Sequence, residues 1–162
     1  TGLHIDFLNF LEITGSDGRT LRDEWSEVPR AYLGLTVPGF PNMFITCGPN
    51  SGLAAAHTTL GEEQIYYVIE TLQAMIENDL AALEVTEEAC QAFNDKVETE
   101  IGKTVWLNSG TAHGYYRHSS GRIVLGFPFE NVEYWQETRA PRLQDYRQVP
   151  AKTPAPREPE LA

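Results

Sequence analysis

The sequence has 162 residues with a formal net charge of −11, and 41% of its residues are hydrophobic and 22% charged. This is enough for one domain with a hydrophobic core, and the composition is not that of a disordered chain. The acidic balance argues against nucleic acid and anionic membranes as partners, because both require basic patches. Cys47 and Cys90 lie in unrelated contexts, and no apolar run approaches the roughly 18 residues of a membrane span. These features predict a cytoplasmic protein without a structural disulfide.

The first third of the chain predicts short extended segments separated by turns. Residues 31–37 (AYLGLTV) are apolar and partly β-branched, which favours a strand or an extended segment. Residues 38–42 (PGFPN) have the composition of a tight turn. Residues 43–47 are apolar except for Thr46 and predict a short buried strand.

The middle of the chain predicts two helices. Thr59 and Glu62 fit a capping box, followed by an amphipathic helix. Its apolar stripe is Ile65, Val68, Ile69, Leu72, Met75 and Ile76, and its polar face is Glu63, Gln64, Glu70, Thr71 and Gln73. A second helix is expected to begin at Thr86 and to stop near Gly102. The stripe of this second helix is Cys90, Phe93, Val97 and Ile101.

The last third predicts a strand or the start of one at 104–107, a polar loop at 108–122 and an apolar segment at 123–129. A short helix is expected at 131–138, carrying Val132, Tyr134 and Trp135. The proline-rich end, residues 150–162, predicts a disordered tail.

The loop at 48–59 (GPNSGLAAAHTT) follows a predicted strand and precedes a helix. Nucleotide-binding sheets hold their ligands with this layout, and a helix N-terminus favours an anion. The chain contains neither G-x-G-x-x-G nor a P-loop. An ordinary connecting loop therefore stays open as the alternative.

A second candidate cluster is the aromatic and cationic run from Trp106 through His113 and His118 to Arg122. Such a loop could stack on a nucleotide or close over a pocket, and a surface loop anchored by tyrosines is the alternative. A metal site at the two histidines is disfavoured, because no third ligand is nearby. A Ser51–His57–Asp79 hydrolase is disfavoured too, because G-P-N-S-G is not the G-x-S-x-G elbow.

Four segments carry a family resemblance: 17–25 (DGRTLRDEW), 29–34 (PRAYLG), 37–42 (VPGFPN) and 48–51 (GPNS). Together they resemble the C-terminal part of class B flavoprotein monooxygenases of the Baeyer–Villiger type, such as cyclohexanone and 4-hydroxyacetophenone monooxygenases. Single residues between 104 and 146 resemble the closing region of the same proteins. The resemblance extends over residues 1–147.

The resemblance implies an α/β fold, mixed α+β in this piece, which is the C-terminal part of a flavoprotein with two dinucleotide-binding domains. Residues 1–149 would form the end of the FAD-binding domain with closing helices and a lid loop. The implied parent uses FAD and NADP(H) to insert one oxygen from O2 into a ketone or to oxidise a heteroatom substrate. The glycine motifs for both cofactors would lie before Thr1, so the piece alone is expected to be inactive.

The resemblance also implies site residues, but no catalytic residue and no metal. Gly48, Pro49, Asn50 and Ser51 would face FAD, Leu53 and Ala54 would face substrate, and His113, Tyr115 and Tyr116 would lie on the lid over NADPH. The family string C-S-S-W-Y is replaced by residues 111–116 (TAHGYY), so the indole expected against nicotinamide is absent. The rival hypothesis is a non-catalytic module that binds a ligand or protein, or that self-associates through an apolar surface.

Overall fold

The computed structural model describes residues 7–8, 10–51, 57–105 and 116–152. Thr20 caps a one-turn helix, and a long helix, a strand and a second long helix follow the 47–51 turn. A short helix and a single 3-10 turn precede the final strand. The elements are α1 Leu21–Glu24, α2 His57–Glu77, β1 Leu80–Val85, α3 Glu87–Ile101, α4 Asn131–Glu137, the 3-10 turn Leu143–Asp145 and β2 Tyr146–Pro150. This mixture of helix and strand agrees with the predicted fold class.

The strands β1 and β2 pair as an antiparallel two-stranded sheet. Val85 lies opposite Tyr146, and the register shifts between Leu80 and Ala82. Leu83 and Val85 point into the core, as the two-residue period of a strand requires. Neither strand was predicted from the sequence, and in β1 the reason is that LAALEV is rich in residues that favour helices. β2 ends at Pro150, and residues 153–162 lie outside the described residues. The predicted division of the chain into a domain at 1–149 and a disordered tail at 150–162 therefore stays a prediction.

The prediction of α3 is confirmed. The Thr86 side chain accepts a hydrogen bond of 3.2 Å from the Ala89 N–H, and the helix ends at Gly102. Three members of the predicted stripe are buried, and the fourth, Phe93, packs at the edge of the core. The short helix predicted at 131–138 is also present as α4.

The strand or extended segment predicted at 31–37 and the strand predicted at 43–47 are wrong. Tyr32 and Thr36 instead close a tight turn, in which the Tyr32 N–H donates to the Thr36 carbonyl at 2.8 Å. Leu33 and Gly34 have positive φ angles of 53° and 70°, which a strand cannot accommodate. In the 43–47 segment, the Ile45 N–H donates to the Leu35 carbonyl at 2.8 Å and the Met43 N–H donates to the Phe40 carbonyl at 3.3 Å, which is not the pairing pattern of a strand.

The prediction of a helix after the glycine-containing loop is confirmed, but its cap and its orientation are wrong. α2 begins at His57, so Thr59 lies inside the helix and cannot be its N-cap. The side turned to the core carries Leu60, Gln64, Tyr67, Thr71 and Met75. The side turned outward carries most of the predicted apolar stripe, namely Ile65, Ile69, Leu72 and Ile76. An amphipathic helix normally has the opposite orientation.

Three hydrophobic clusters lie among the described residues, and the smallest consists of Val97, Ile101 and Ile123. The largest joins α2, β1, α3, α4 and β2 around Tyr67, Tyr134 and Tyr146. A second cluster surrounds Trp25, whose indole N–H donates to the Arg30 carbonyl at 2.9 Å. Among the residues that the structure describes, no helix is both long and apolar enough to cross a membrane.

Candidate functional site

The turn at 47–51 lies just before α2 and has an unusual backbone. Cys47 and Asn50 both have left-handed φ angles, 56° and 55°. Non-glycine residues adopt this conformation only when the surrounding structure holds them there. Gly48, Pro49, Asn50 and Ser51 are all buried, whereas Cys47 is exposed. The turn is therefore a fixed part of the core surface rather than a freely exposed loop.

Gly34 and Gly48 allow this turn to pack directly against the 32–36 turn. A Cβ atom on Gly34 would lie 2.2 Å from the Cβ of Ser51, and one on Gly48 would lie 2.3 Å from the Gly34 carbonyl oxygen. Neither contact is sterically possible. The Ser51 hydroxyl donates to the Gly48 carbonyl at 2.8 Å, which closes the turn on itself.

Asn50 connects the turn to the segment at 123–126. Its backbone N–H donates to the Val124 carbonyl at 2.7 Å, and its side-chain amide donates to the carbonyls of Ile123 and Gly126 at 2.9 Å each. Its side-chain oxygen is buried without a hydrogen-bond partner. A buried acceptor without a donor is costly, so this oxygen is expected to have a partner beyond the described residues.

A chain of buried side chains fixes the other end of the turn. The Cys47 N–H donates to the Gln64 side-chain oxygen at 2.9 Å, and the Gln64 amide donates to the Tyr134 hydroxyl at 3.0 Å. The Tyr134 hydroxyl then donates to the Leu33 carbonyl at 2.8 Å. Burial raises the pKa of Tyr134, although the bond from Gln64 works in the opposite direction. The hydroxyl therefore stays protonated and keeps its donor role.

Glu63 carries a buried carboxylate and lies next to Gln64 in α2. Only 9% of its surface is exposed, and one of its oxygens, Oε2, is buried without a hydrogen-bond partner. Burial raises its pKa, and the positive charge of Arg139 partly opposes this. Arg139 itself lies over the rings of Tyr66 and Trp135, at 4.2 and 4.8 Å from their centroids.

The structure brings together some of the residues predicted from the sequence. Gly48, Pro49, Asn50 and Ser51 form one turn, and Val124 connects it to Tyr116, because the Val124 N–H donates to the Tyr116 carbonyl at 3.0 Å. The other predicted site residues, Leu53, Ala54, His113 and Tyr115, lie outside the described residues. In the described part of the chain, no group of three His, Cys, Asp or Glu residues is placed to hold a metal ion.

Four residues of the site were not predicted as site residues from the sequence, namely Gly34, Gln64, Val124 and Tyr134. Gln64 and Tyr134 are 70 positions apart and carry no common motif, so no local signal could have paired them. Gly34 belongs to the P-R-A-Y-L-G segment quoted for the resemblance, and that glycine was the one available signal.

A cavity of about 290 Å³ lies between α3, α4 and the 143–145 turn. Aromatic rings form much of its lining, and Arg142 pairs with Glu137 and Asp145 at its edge. None of residues 47–51 lines this cavity. The aromatic lining is Tyr32, Phe93, Phe127, Phe129 and Tyr134.

Comparison with known proteins finds no matching protein-family model. An uncharacterized monooxygenase of Sinorhizobium fredii is 36% identical over 143 residues, which is 86% of this chain and 22% of the relative. A Baeyer-Villiger monooxygenase of Pseudomonas aeruginosa is 38% identical over 119 residues, which is 72% of this chain and 22% of the relative. The chain thus spans about a fifth of the length of these relatives.

Solved structures show the same fold. An oxidized steroid monooxygenase bound to NADP superposes with a TM-score of 0.77 at 24% identity, over 89% of this chain and 28% of the other. A complex of OTEMO with FAD and NADP gives a TM-score of 0.71 at 22% identity, over 88% of this chain and 27% of the other. By sequence and by fold, this chain belongs to the Baeyer–Villiger monooxygenases and corresponds to a C-terminal part of that flavoprotein.

Proposed function

We propose that this chain is the C-terminal part of an FAD- and NADPH-dependent monooxygenase that inserts one oxygen from O2 into a ketone or oxidises a heteroatom substrate. The observation that carries this proposal is the hydrogen-bonded turn at 47–51, which precedes a 21-residue helix along the chain, in a protein with the fold of this family. Relatives named as Baeyer-Villiger monooxygenases support the reaction class. The substrate would be a small molecule in the cytoplasm.

The residues of the turn fit one edge of a flavin. The Asn50 amide nitrogen and the Ser51 hydroxyl hydrogen-bond to carbonyls of this chain, which fixes the shape of the turn. The partly positive N-terminus of α2 follows, and it favours the negative charge of a reduced flavin. The Asn50 side-chain oxygen, which has no donor among the residues that the structure describes, suits a group that offers an N–H.

FAD would supply the redox chemistry when it is bound, and this chain would supply position and shelter. The Gln64–Tyr134 pair and the Asn50 bonds hold the turn at both ends, so that little backbone movement is needed on binding.

We assign Leu53 and Ala54 to the substrate side, and His113, Tyr115 and Tyr116 to a lid that excludes water over NADPH. The connection from Tyr116 through Val124 to Asn50 supports a lid that begins next to the turn.

The experiment replaces the matching part of the Pseudomonas aeruginosa monooxygenase with this chain and measures flavin absorbance retained after desalting. We expect retained FAD and NADPH oxidation that depends on a ketone. A chimera that folds, as judged by its melting transition, but retains no flavin would contradict the proposal.

A non-catalytic, self-associating module is the second candidate, and one observation favours it. The α2 stripe of Ile65, Ile69, Leu72 and Ile76 is exposed, and contiguous apolar surface commonly marks an interface. Sedimentation of the isolated chain over a range of concentrations tests this role. A monomer at every concentration would exclude it.

A further inference from the structure

The cavity between α3, α4 and the 143–145 turn is apolar at its inner end and charged at its mouth. Its volume of about 290 Å³ lies near the lower limit of small-molecule sites, which is roughly 300 Å³. Leu33, Phe127 and Tyr134 line the cavity and are buried, whereas Ala92 and Lys96 line it and are exposed. A ligand of this cavity would therefore place an apolar group inside and a charged group at the mouth.

The inner end is built from aromatic rings in edge-to-face contact. The ring centroids of Phe127 and Phe129 are 5.0 Å apart with 62° between the ring planes, and those of Phe127 and Tyr134 are 4.8 Å apart at 69°. Aromatic groups in proteins prefer this arrangement, and a planar ring of a ligand can join such a cluster by the same contact. The ring contacts therefore favour an aromatic ligand over an aliphatic one.

Lys96 provides a positive charge at the mouth. Its ammonium nitrogen lies 4.6 Å from the centroid of the Phe129 ring, which is one wall of the cavity. None of the ion pairs found among the described residues includes Lys96. The ring holds the ammonium in place without neutralising its charge, so the ammonium can still bind a carboxylate of a ligand.

The acidic side chains of the lining already have partners. Arg142 pairs with Glu137 and with Asp145, at 3.9 Å in the second pair. Glu133 accepts a backbone N–H at 3.0 Å in the capping box of α4. An organic cation would compete with Arg142 for two of these carboxylates and would be repelled by Lys96. The charges of the lining therefore favour an anionic ligand.

We propose that this cavity binds a small aromatic carboxylate. The ring of the ligand packs against Phe127, Phe129 and Tyr134, and its carboxylate pairs with Lys96 at the mouth. The proposal goes beyond the proposed function, because none of residues 47–51 lines the cavity and binding at Lys96 needs no flavin.

The first test compares three probes that share one ring system, namely 2-naphthoate, 2-naphthylmethanol and 2-naphthylmethylamine. Equilibrium dialysis against the full 162-residue chain measures the dissociation constant of each probe. We expect 2-naphthoate to bind at least about tenfold more tightly than the other two, because it alone forms a hydrogen bond between two charged groups at Lys96. The ammonium probe controls for the net charge of −11, which attracts cations to the whole surface. Equal binding of all three probes, tighter binding of the ammonium probe, or no binding overturns the proposal.

Two lysine variants test the polar contact. Lys96→Met removes the charge and keeps an apolar stem, so we expect the affinity for 2-naphthoate to fall about tenfold and the affinity for 2-naphthylmethanol to stay unchanged. Lys103→Met makes the same charge change at an exposed position just beyond α3 that does not line the cavity. It is expected to bind both probes like the wild type. Equal affinities of the two variants for 2-naphthoate overturn the assigned contact.

Two alanine variants test the location. Ala92→Phe places a ring in the mouth of the cavity and is expected to weaken binding of both 2-naphthoate and 2-naphthylmethanol at least about tenfold. Ala81→Phe makes the same change at an exposed position of β1 outside the cavity and is expected to bind like the wild type. Both positions are exposed, so the melting temperature of the chain should not fall. Equal binding by both variants overturns the location.

The last test repeats the titrations with the Pseudomonas aeruginosa chimera of the proposed function. We expect the same order of affinities for the three probes. A folded chimera that binds no 2-naphthoate overturns the proposal, because the remaining part of the flavoprotein would then cover the cavity. Flavin retention is not part of this readout, so a failure to bind FAD would contradict only the proposed function.

Discussion

Gln64 and Tyr134 are joined by a buried hydrogen bond of 3.0 Å between the side-chain amide and the phenolic hydroxyl. Neither residue is exposed to solvent, and each has a second bond, from the Cys47 N–H to Gln64 and from Tyr134 to the Leu33 carbonyl. One pair of side chains thus connects α2 and α4 with the two tight turns of the site. This explains why a polar residue occupies the inner side of α2.

Tyr134→Phe tests this connection. The substitution keeps the ring but leaves the Gln64 amide and the Leu33 carbonyl buried without a partner, so we expect a loss of about 2–4 kcal/mol in the free energy of unfolding. Urea unfolding measures it. The control is Tyr66→Phe, since Tyr66 is 39% exposed and its ring contact with Arg139 is preserved. Equal effects of the two substitutions would show that the buried bonds contribute nothing.

Gly34→Ala tests the close contact of the two turns. The added methyl group would meet the Ser51 side chain at 2.2 Å with the backbone at a φ of 70°. Backbone strain and overpacking together should cost about 2–6 kcal/mol. Gly18→Ala is the matched control, because Gly18 has a φ of 83° but nothing within 4 Å of the added atom. It should cost only about 1 kcal/mol. If both variants unfold at the same urea concentration, steric contact with Ser51 is not the reason for glycine at position 34.

Some of this architecture was predictable because it is coded locally. Thr86 caps α3 through its own side chain, and the residues that follow it have helical periodicity. The GPNS segment at 48–51 indicated both the turn and the protein family, although the residues that hydrogen-bond to the turn lie far away in the sequence. Such features depend on a few neighbouring residues, which a single sequence displays.

Other features depend on distant residues and were missed or inverted. Thr71 is buried because its hydroxyl donates to the Tyr67 carbonyl at 2.7 Å, and Gln64 is buried because of Tyr134. Hydrophobic periodicity places Gln64 and Thr71 on the solvent side, because it depends on the polarity of each residue and contains no information on hydrogen bonds. β1 is a strand because β2 pairs with it 61 positions later at Tyr146, opposite Val85. Tertiary contacts override a helix-favouring local sequence here.

Asn50→Gly should destabilise the chain less than Asn50→Asp. Asn50→Gly keeps the left-handed backbone and loses the bonds to the Ile123 and Gly126 carbonyls, at a cost of about 1–3 kcal/mol. Asn50→Asp places a buried carboxylate against the same two carbonyls, and we expect about 3–5 kcal/mol near neutral pH. The aspartate variant should recover part of this below about pH 4, where a protonated carboxyl can donate. Thermal unfolding at both pH values measures the order. An aspartate variant more stable than the glycine variant near neutral pH would contradict the assigned bonds.

Glu63→Gln should stabilise the chain near neutral pH. Burial raises the pKa of Glu63 in the folded state, so the neutral form is favoured there. Its contribution to stability is present below the unfolded pKa and is lost as pH rises through the folded pKa. Glutamine is neutral throughout, so we expect a gain of about 1 kcal/mol in the free energy of unfolding near pH 7, and no gain below about pH 4.

The control is Glu62→Gln, which removes the same charge at an exposed neighbouring position. Its free energy of unfolding should stay within about 0.5 kcal/mol of the wild type at both pH values. Thermal melting of both variants at the two pH values measures the effect. If the stability change of Glu63→Gln is the same at both pH values, burial does not shift the titration of the Glu63 carboxylate.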